Sequence, residues 1–359
     1  MSGGGRLVAL AAALVATACG DDAGPSDGVS PAPYGSPYRT LAEWNLFADA
    51  RTQTPAERVE PFAITSPLFS DYTAKHRFFW LPEGATITYR DEGVWGFPVG
   101  AIIVKTFSYP VDARDPSKGE RILETRLLVH EPDGWVAHTY VWDEAQTEAV
   151  RQPAGDYIQV SWIDEAGATR EHRYVVPNTN ECQECHGLKP ATDVLGPRTA
   201  QFEGLPGDNL IDRWHAAGYF AQAPTPPAQR PRYAAPDDTS ASLSDRARAY
   251  LEANCAHCHS PAGDVASKTL FLDFAHTDPA TQPDSNWGVC KLPTSAGGAT
   301  CGHTYDVVPG DADHSVMVCR MESTAGSDQM PPLGRGLVHA EGVALIRAWI
   351  DAMEPDDCR

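Results

Sequence analysis

The chain has 359 residues, 42% of them hydrophobic, with 48 Asp and Glu against 28 Lys and Arg and a net charge of −20. That length gives a prior of two domains plus tails, and the apolar share suffices for ordinary cores. A surface this acidic repels nucleic acid and anionic lipid; the partners it steers inward are basic or cationic.

At the N-terminus Arg6 precedes an apolar run from Leu7 to Ala18. The run is too short to span a bilayer and predicts an export signal over residues 1–18. It ends at Ala16-Thr17-Ala18-Cys19, which resembles a bacterial lipobox, whose Cys is lipidated and becomes the first residue. Ala16 stands where Leu is commonest, so ordinary signal cleavage remains the alternative. Gly20 after the Cys implies, by the same resemblance, sorting to the outer membrane. The expected location is therefore the periplasm or the outer membrane, held by a lipid anchor only. Residues 19–40, rich in Gly, Asp, Ser and Pro, predict a flexible tether.

Residues 41–221 predict a β-rich domain. Ile102, Val104 and Thr106 alternate with Ile103, Lys105 and Phe107. Ile122–His130 and Trp135–Trp142 flank Pro132-Asp133-Gly134, a turn signal, and Tyr157–Ile163 and Thr169–Val176 flank a turn with Gly167. The spacing predicts an antiparallel sandwich or curled sheet. It leads into Cys182-Gln-Glu-Cys185-His186, the first of two C-x-x-C-H phrases; the second is Cys255-Ala-His-Cys258-His259. This spacing is the attachment signal for a c-type haem: two thiols on one turn can form thioethers, and the His that follows can ligate the iron. The rival readings are a zinc site or a redox disulfide. Zinc ribbons usually space their pairs by 15–20 residues and need no His after each; here residues 186–254 separate the pairs. The pattern therefore predicts two covalent haems, on Cys182 and Cys185 and on Cys255 and Cys258, with His186 and His259 as iron ligands.

No methionine lies between Met1 and Met317, so the first domain cannot supply a thioether to its own iron. His, Lys, a group from the other domain, or nothing remains. His215, in a helix expected over 209–219, is the nearest downstream candidate and His76 the second; His130, His138 and His172 are also available.

Residues 222–240 carry five prolines and predict a stiff linker. In residues 241–359 a helix starts near Ser242, with Asp245 as capping-box partner, and runs into Cys255. His339–Met353 places Val343, Ile346 and Ile350 on one face of an amphipathic helix. A helix leading into C-x-x-C-H, with a final helix that can cross it, resembles a class I cytochrome c. Met330, followed by Pro331 and Pro332, is the expected distal ligand to the second iron; Met317, Met321 and Met353 are expected as packing. His257 is expected as a spacer pointing outward. The fold expected is multi-domain α+β: an antiparallel β-rich N-terminal domain carrying the first haem and an all-α cytochrome c domain carrying the second. Cys290, Cys301, Cys319 and Cys358 remain. In an oxidising compartment they read as two disulfides with three possible connectivities, of which Cys290–Cys301 and Cys319–Cys358 are expected.

The chain also resembles a family of bacterial dihaem c-type cytochrome lipoproteins of unassigned role. The phrases Pro67-Leu-Phe-Ser-Asp-Tyr72, Gly100–Phe107, Glu124–Leu128, Tyr140-Val-Trp142, Val308-Pro-Gly-Asp311 and Met330-Pro-Pro-Leu-Gly334 carry the resemblance, beside both haem motifs. A lesser likeness, through Phe97–Lys105, is to cytochrome P460 domains. In that family a lysine cross-links to the haem; Lys105 is expected instead as a solvated strand lysine. The expected function is electron transfer between redox partner proteins outside the cytoplasm. The alternative is a haem enzyme, peroxidase-like or P460-like, with an open first iron and the second as electron port; a haem-based sensor or assembly protein is a third class.

Overall fold

The computed structural model describes residues 28–187, 194–205, 207, 209–294 and 300–358. The signal, Cys19 and the start of the tether lie outside the described residues. Strands β1 (Phe47–Asp49) and β2 (Thr54–Pro55) pair with each other. Six strands then form an antiparallel meander in chain order: β3 (Glu60–Pro61), β4 (Ala74–Trp80), β5 (Ile102–Pro110), β6 (Glu120–Glu131), β7 (Gly134–Trp142) and β8 (Ala149–Arg151). A separate hairpin, β9 (Asp156–Ile163) and β10 (Thr169–Val176), closes one side.

Because side chains alternate along a strand, the meander has two unlike faces. One carries Phe78, Ile102, Val104, Leu127, Val129 and Tyr140, which bury Trp44 and Leu46. The other is apolar at its ends, where Phe79 and Ile103 join Trp95 and Trp214, and where Tyr109 and Leu123 meet Trp162 and Tyr174 of the hairpin. Its middle is charged. Arg77 faces Lys105 across β4 and β5, and Lys105 faces Arg126 across β5 and β6.

Helix α1 (Thr179–His186) follows the hairpin at once. The Asn178 side chain accepts from Asn180 N and Glu181 N while Glu181 reaches back, a complete capping box. Helix α2 (Leu210–Ala216) packs Ile211 and Trp214 into the aromatic cluster. The C-terminal part is helical: α3 (Leu243–Asn254), α4 (Val316–Glu322) and α5 (Ala340–Asp351). Ser242 caps α3 through Asp245 N at 3.0 Å. Val343, Ile346 and Ile350 of α5 meet Ala247 and Leu251 of α3 in one core, as the periodicity predicts. Among the described residues no helix is long and apolar enough to cross a membrane.

Two connecting segments differ from expectation. The described end of the tether is not loose: Ala32 is buried, Val29 and Tyr38 pack on the first apolar face, and Thr40 bridges to Val150. The proline-rich linker is pinned as well. Arg230 is buried and pairs with Glu203 at 2.7 Å and Asp212 at 2.6 Å, and Tyr233 packs with Ala200 and Ala249, one from each half of the chain. Apolar rings and one paired guanidinium bind both segments down despite their turn-rich composition.

The spare cysteines pair as Cys290–Cys358 and Cys301–Cys319, with Cα atoms 5.0 and 6.5 Å apart, which replaces the expected connectivity. The reason is tertiary. Tyr305 Oη donates to Cys358 O at 2.7 Å and Cys290 N to Val307 O at 3.0 Å, so the C-terminal tail is brought to Cys290. Cys301 is then left beside α4.

Candidate functional site

The second motif is wound onto the end of α3. Cys255 N donates to Leu251 O at 2.8 Å and His259 N to Cys255 O at 2.9 Å. This turn puts Cys255, Cys258 and His259 on the wall of one cavity. Met330 lines the same cavity, as do Met317, Met321, Leu270 and Leu272. Met317, Met321 and Met353 all pack on the helical core, as expected, and the first two also face the same space as Met330.

His259 is neutral, with one ring nitrogen left free. Burial pushes its pKa down to about 4. Its Nδ1 lies 3.3 Å from Leu270 O, and a carbonyl can only accept, so the proton sits on Nδ1 and Nε2 keeps its lone pair. Met330 is fixed by a residue that sequence reasoning missed. Arg335, buried, donates to Met330 O from Nε at 3.1 Å and Nη2 at 2.8 Å, and also to Ser323 O at 2.8 Å and Arg320 O at 3.2 Å.

The N-terminal half completes this wall. Phe69 lines the cavity and stacks on His339, ring centroids 4.2 Å apart. Two residues on, Asp71 Oδ1 accepts from Gly336 N and Leu337 N at 2.8 Å each, and Asp71 Oδ2 meets His172 Nε2 at 2.9 Å. A Cβ at Gly336 would stand 2.8 Å from the His172 ring, so the close approach requires glycine. The Pro67–Tyr72 phrase is therefore the latch between the halves; its contacts span some 265 residues and leave no local pattern.

The first motif stands over the charged middle of the sheet. Cys182 and Cys185 are half-buried, and burial raises both thiol pKa values; Arg126 lies within electrostatic reach of both and Lys105 of Cys185. Lys105 is not the solvated lysine expected. Its Nζ lies 4.8 Å from the Phe107 ring centre, and burial, then the neighbouring Arg77, Lys75 and Arg126, hold its pKa well below the usual lysine value.

The histidines expected to serve the first motif are exposed or have other partners. His215 is exposed on α2, whose buried residues face the aromatic cluster. His76 bonds Glu120 at 2.7 Å on the opposite face of the sheet from Lys75 and Arg77, as strand alternation demands. His130 stacks on Trp135, His138 is buried on the face of Trp44, and His172 is held by Asp71.

The two motifs meet. Cys258 Sγ donates to Glu184 O at 3.8 Å, and the charge of Cys185 reaches Cys258. His257 lies at this junction and is not an outward spacer. The side of the turn that would face water in an isolated helix is covered by the other half of the chain. Burial first, then His186, His259 and Lys105, push its pKa down to about 4, and its buried Nδ1 has no hydrogen-bond partner among the described residues. All four motif cysteines are free, whereas the other four described are disulfide-bonded. Burial pushes the thiols of Cys255 and Cys258 up to about 12, unlike the depressed values of redox-active C-x-x-C pairs. The one cluster close enough to hold a cation among the described residues is Cys290, Asp356 and Cys358; its sulfurs are bonded to each other.

No family model, curated protein or solved structure matches the chain.

Proposed function

We propose that the protein is a dihaem c-type cytochrome that transfers electrons between redox partners outside the cytoplasm, exported through its N-terminal signal and anchored by lipid at Cys19. Cys182 and Cys185 hold the first haem and Cys255 and Cys258 the second, with His186, His259 and Met330 as iron ligands. When bound, each group supplies a one-electron iron couple. The donor set fits: paired free thiols, a neutral imidazole with Nε2 free, and a thioether on the wall of the same cavity. Phe69, Leu270 and Leu272 give that cavity an apolar wall, and Arg335 holds the Met330 carbonyl.

The observation that carries the relay reading is the contact between Cys258 and Glu184. It joins the two motifs inside one protein, with His257 buried between them, so a short path links them without a second molecule. The acidic surface suits basic partners. A second reading, a haem oxidoreductase with an open first iron, is favoured by the other engagements of His76 with Glu120, His130 with Trp135 and His172 with Asp71.

The test is the mass and spectrum of the protein matured in a host with c-type haem machinery. Two porphyrins should be bound through sulfur. The double replacements Cys182→Ser with Cys185→Ser, and Cys255→Ser with Cys258→Ser, should each remove one. A protein with no porphyrin would end the proposal. Cyanide binding to the oxidised first haem would transfer support to the oxidoreductase.

A further inference from the structure

The charged middle of the sheet has more cations than the carboxylates around it among the described residues. Arg77, Lys105 and Arg126 form one rung across three neighbouring strands, each directly opposite the next. Like charges so placed repel, and this occurs in a chain of net charge −20. Lys75 stands beside them, opposite Phe107. The ring of Phe107 is flanked by Lys105 Nζ at 4.8 Å, the Arg126 guanidinium carbon at 4.4 Å and Lys75 Nζ at 6.0 Å.

Anions do not match this count. Glu124 is fully buried but already accepts from Arg126 at 2.8 and 2.5 Å and from Tyr174 Oη at 2.7 Å. Asp71, the next carboxylate to reach Lys75, is engaged by Gly336, Leu337 and His172. Lys75 Nζ donates to Thr73 O at 2.9 Å, a neutral acceptor. The buried Nη2 of Arg77 has no acceptor among the described residues. Lys105 has the face of Phe107 and, among the described residues, no carboxylate paired with it; Glu124 acts on it only at longer range.

A half-buried cation without an anion is costly to keep, and a donor fork with one empty arm is costlier still. From this juxtaposition we propose that Arg77, Lys105 and Lys75 form a binding site for a small oxyanion, carboxylate-like in shape, held against the sheet beside Cys182 and Cys185. Arg77 supplies its free Nη2, Nη1 being turned to Lys75 O at 3.4 Å, and Lys105 and Lys75 supply point charges at its flanks. Arg126 is spoken for by Glu124 and adds long-range attraction only. Two sources share this chemistry: a free oxyanion from solution, or the propionate carboxylates of the first haem. The site stands without the haem proposal; the second source rests on it.

The experiment titrates sodium acetate, against sodium chloride at equal ionic strength, into the matured protein and its Lys105→Met and Arg77→Gln variants. Thermal midpoint and visible spectrum report binding; a redox titration reports both potentials. Saturable acetate binding to the wild type, weakened at least about tenfold in each variant, as expected for loss of a charged hydrogen bond, establishes the free-anion source. No acetate effect, with the potential of one haem lowered in both variants and the other unchanged, establishes the propionate source, since a lost cation disfavours the reduced, more negative iron centre. Acetate binding equal in wild type and variants overturns the site. So does indifference to acetate with both potentials unmoved. Arg77→Lys, which keeps the charge, covers the case in which Arg77→Gln fails to fold. A protein without porphyrin removes the haem proposal but leaves the acetate arm decisive.

Discussion

The second C-x-x-C-H turn ends a twelve-residue helix and faces a cavity walled mainly by leucine, methionine and proline side chains, with Asp306, Arg320 and Arg335 among them. The first ends an eight-residue helix standing over arginines and lysines on a sheet. One sequence pattern has thus been fitted to two environments. The second is mainly apolar, with a neutral imidazole and a thioether fixed in advance by Leu270 O and Arg335. The first is electrostatic, organised by buried charge. Net charge and hydrogen bonding are the levers by which proteins set haem potentials, so under the dihaem proposal the two irons differ in potential because their platforms differ.

The largest effect should come from breaking the electrostatic platform of the first motif. Glu124→Gln leaves Arg126 without its carboxylate and weakens the bond from Tyr174 Oη. Orphaning one member of such a pair costs about 3–5 kcal/mol. The low end applies, because Arg126 keeps 29% side-chain exposure. Urea unfolding of the variant should show this loss, and adding Arg126→Met should recover most of it. If the double replacement is no more stable than Glu124→Gln alone, the pair is not what the platform depends on.

How much of this was legible in the sequence follows from the range of the interactions. The strands from Ile102 to Val176, the cap at Ser242 and the apolar face of α5 are written in local periodicity and were readable. The two motifs are local as well, each lying within five residues. Asp71, Arg335 and the disulfide partners of Cys290 and Cys301 were not, since each acts on a chain segment that only tertiary folding delivers. His257 was misread for the same reason: in isolation its turn faces water, and only the other half of the chain covers it. Lys105 was misread because strand alternation says which face a residue takes, not what covers that face.

A smaller effect is expected at the latch between the two environments. Asp71→Ala removes the acceptor of two backbone N–H groups, Gly336 and Leu337, and the partner of His172. Its cost should be about 2–3 kcal/mol in urea unfolding. Asp71→Asn keeps one carbonyl oxygen for Leu337 and should lose less. Because Gly336 follows Arg335, the loosened segment should also shift the potential of the second haem, and by more than that of the first, which feels only the lost charge near Lys75. Equal shifts in both would mean that Asp71 acts on the whole assembly and not on the Met330 segment.

The smallest effect on stability, and the most discriminating, belongs to the methionines. Exchange of Met for Leu conserves volume and costs less than about 1.5 kcal/mol, so Met330→Leu, Met317→Leu and Met321→Leu should all fold. All three side chains line the cavity with His259, and packing alone would treat them alike. Their backbones differ. Met317 and Met321 sit on α4, whose hydrogen bonds fix them as a helix face. Met330 lies in a segment held from one side by Arg335 and followed by Pro331 and Pro332, restricted before any ligand arrives. The thioether whose ordering costs least is the one that binds iron best. Met330→Leu should therefore lower the potential of one haem, as loss of a Met ligand does, while Met317→Leu and Met321→Leu leave it near the wild-type value. A drop confined to Met317→Leu would move the ligand to α4 and make the Met330 segment a lid on the cavity.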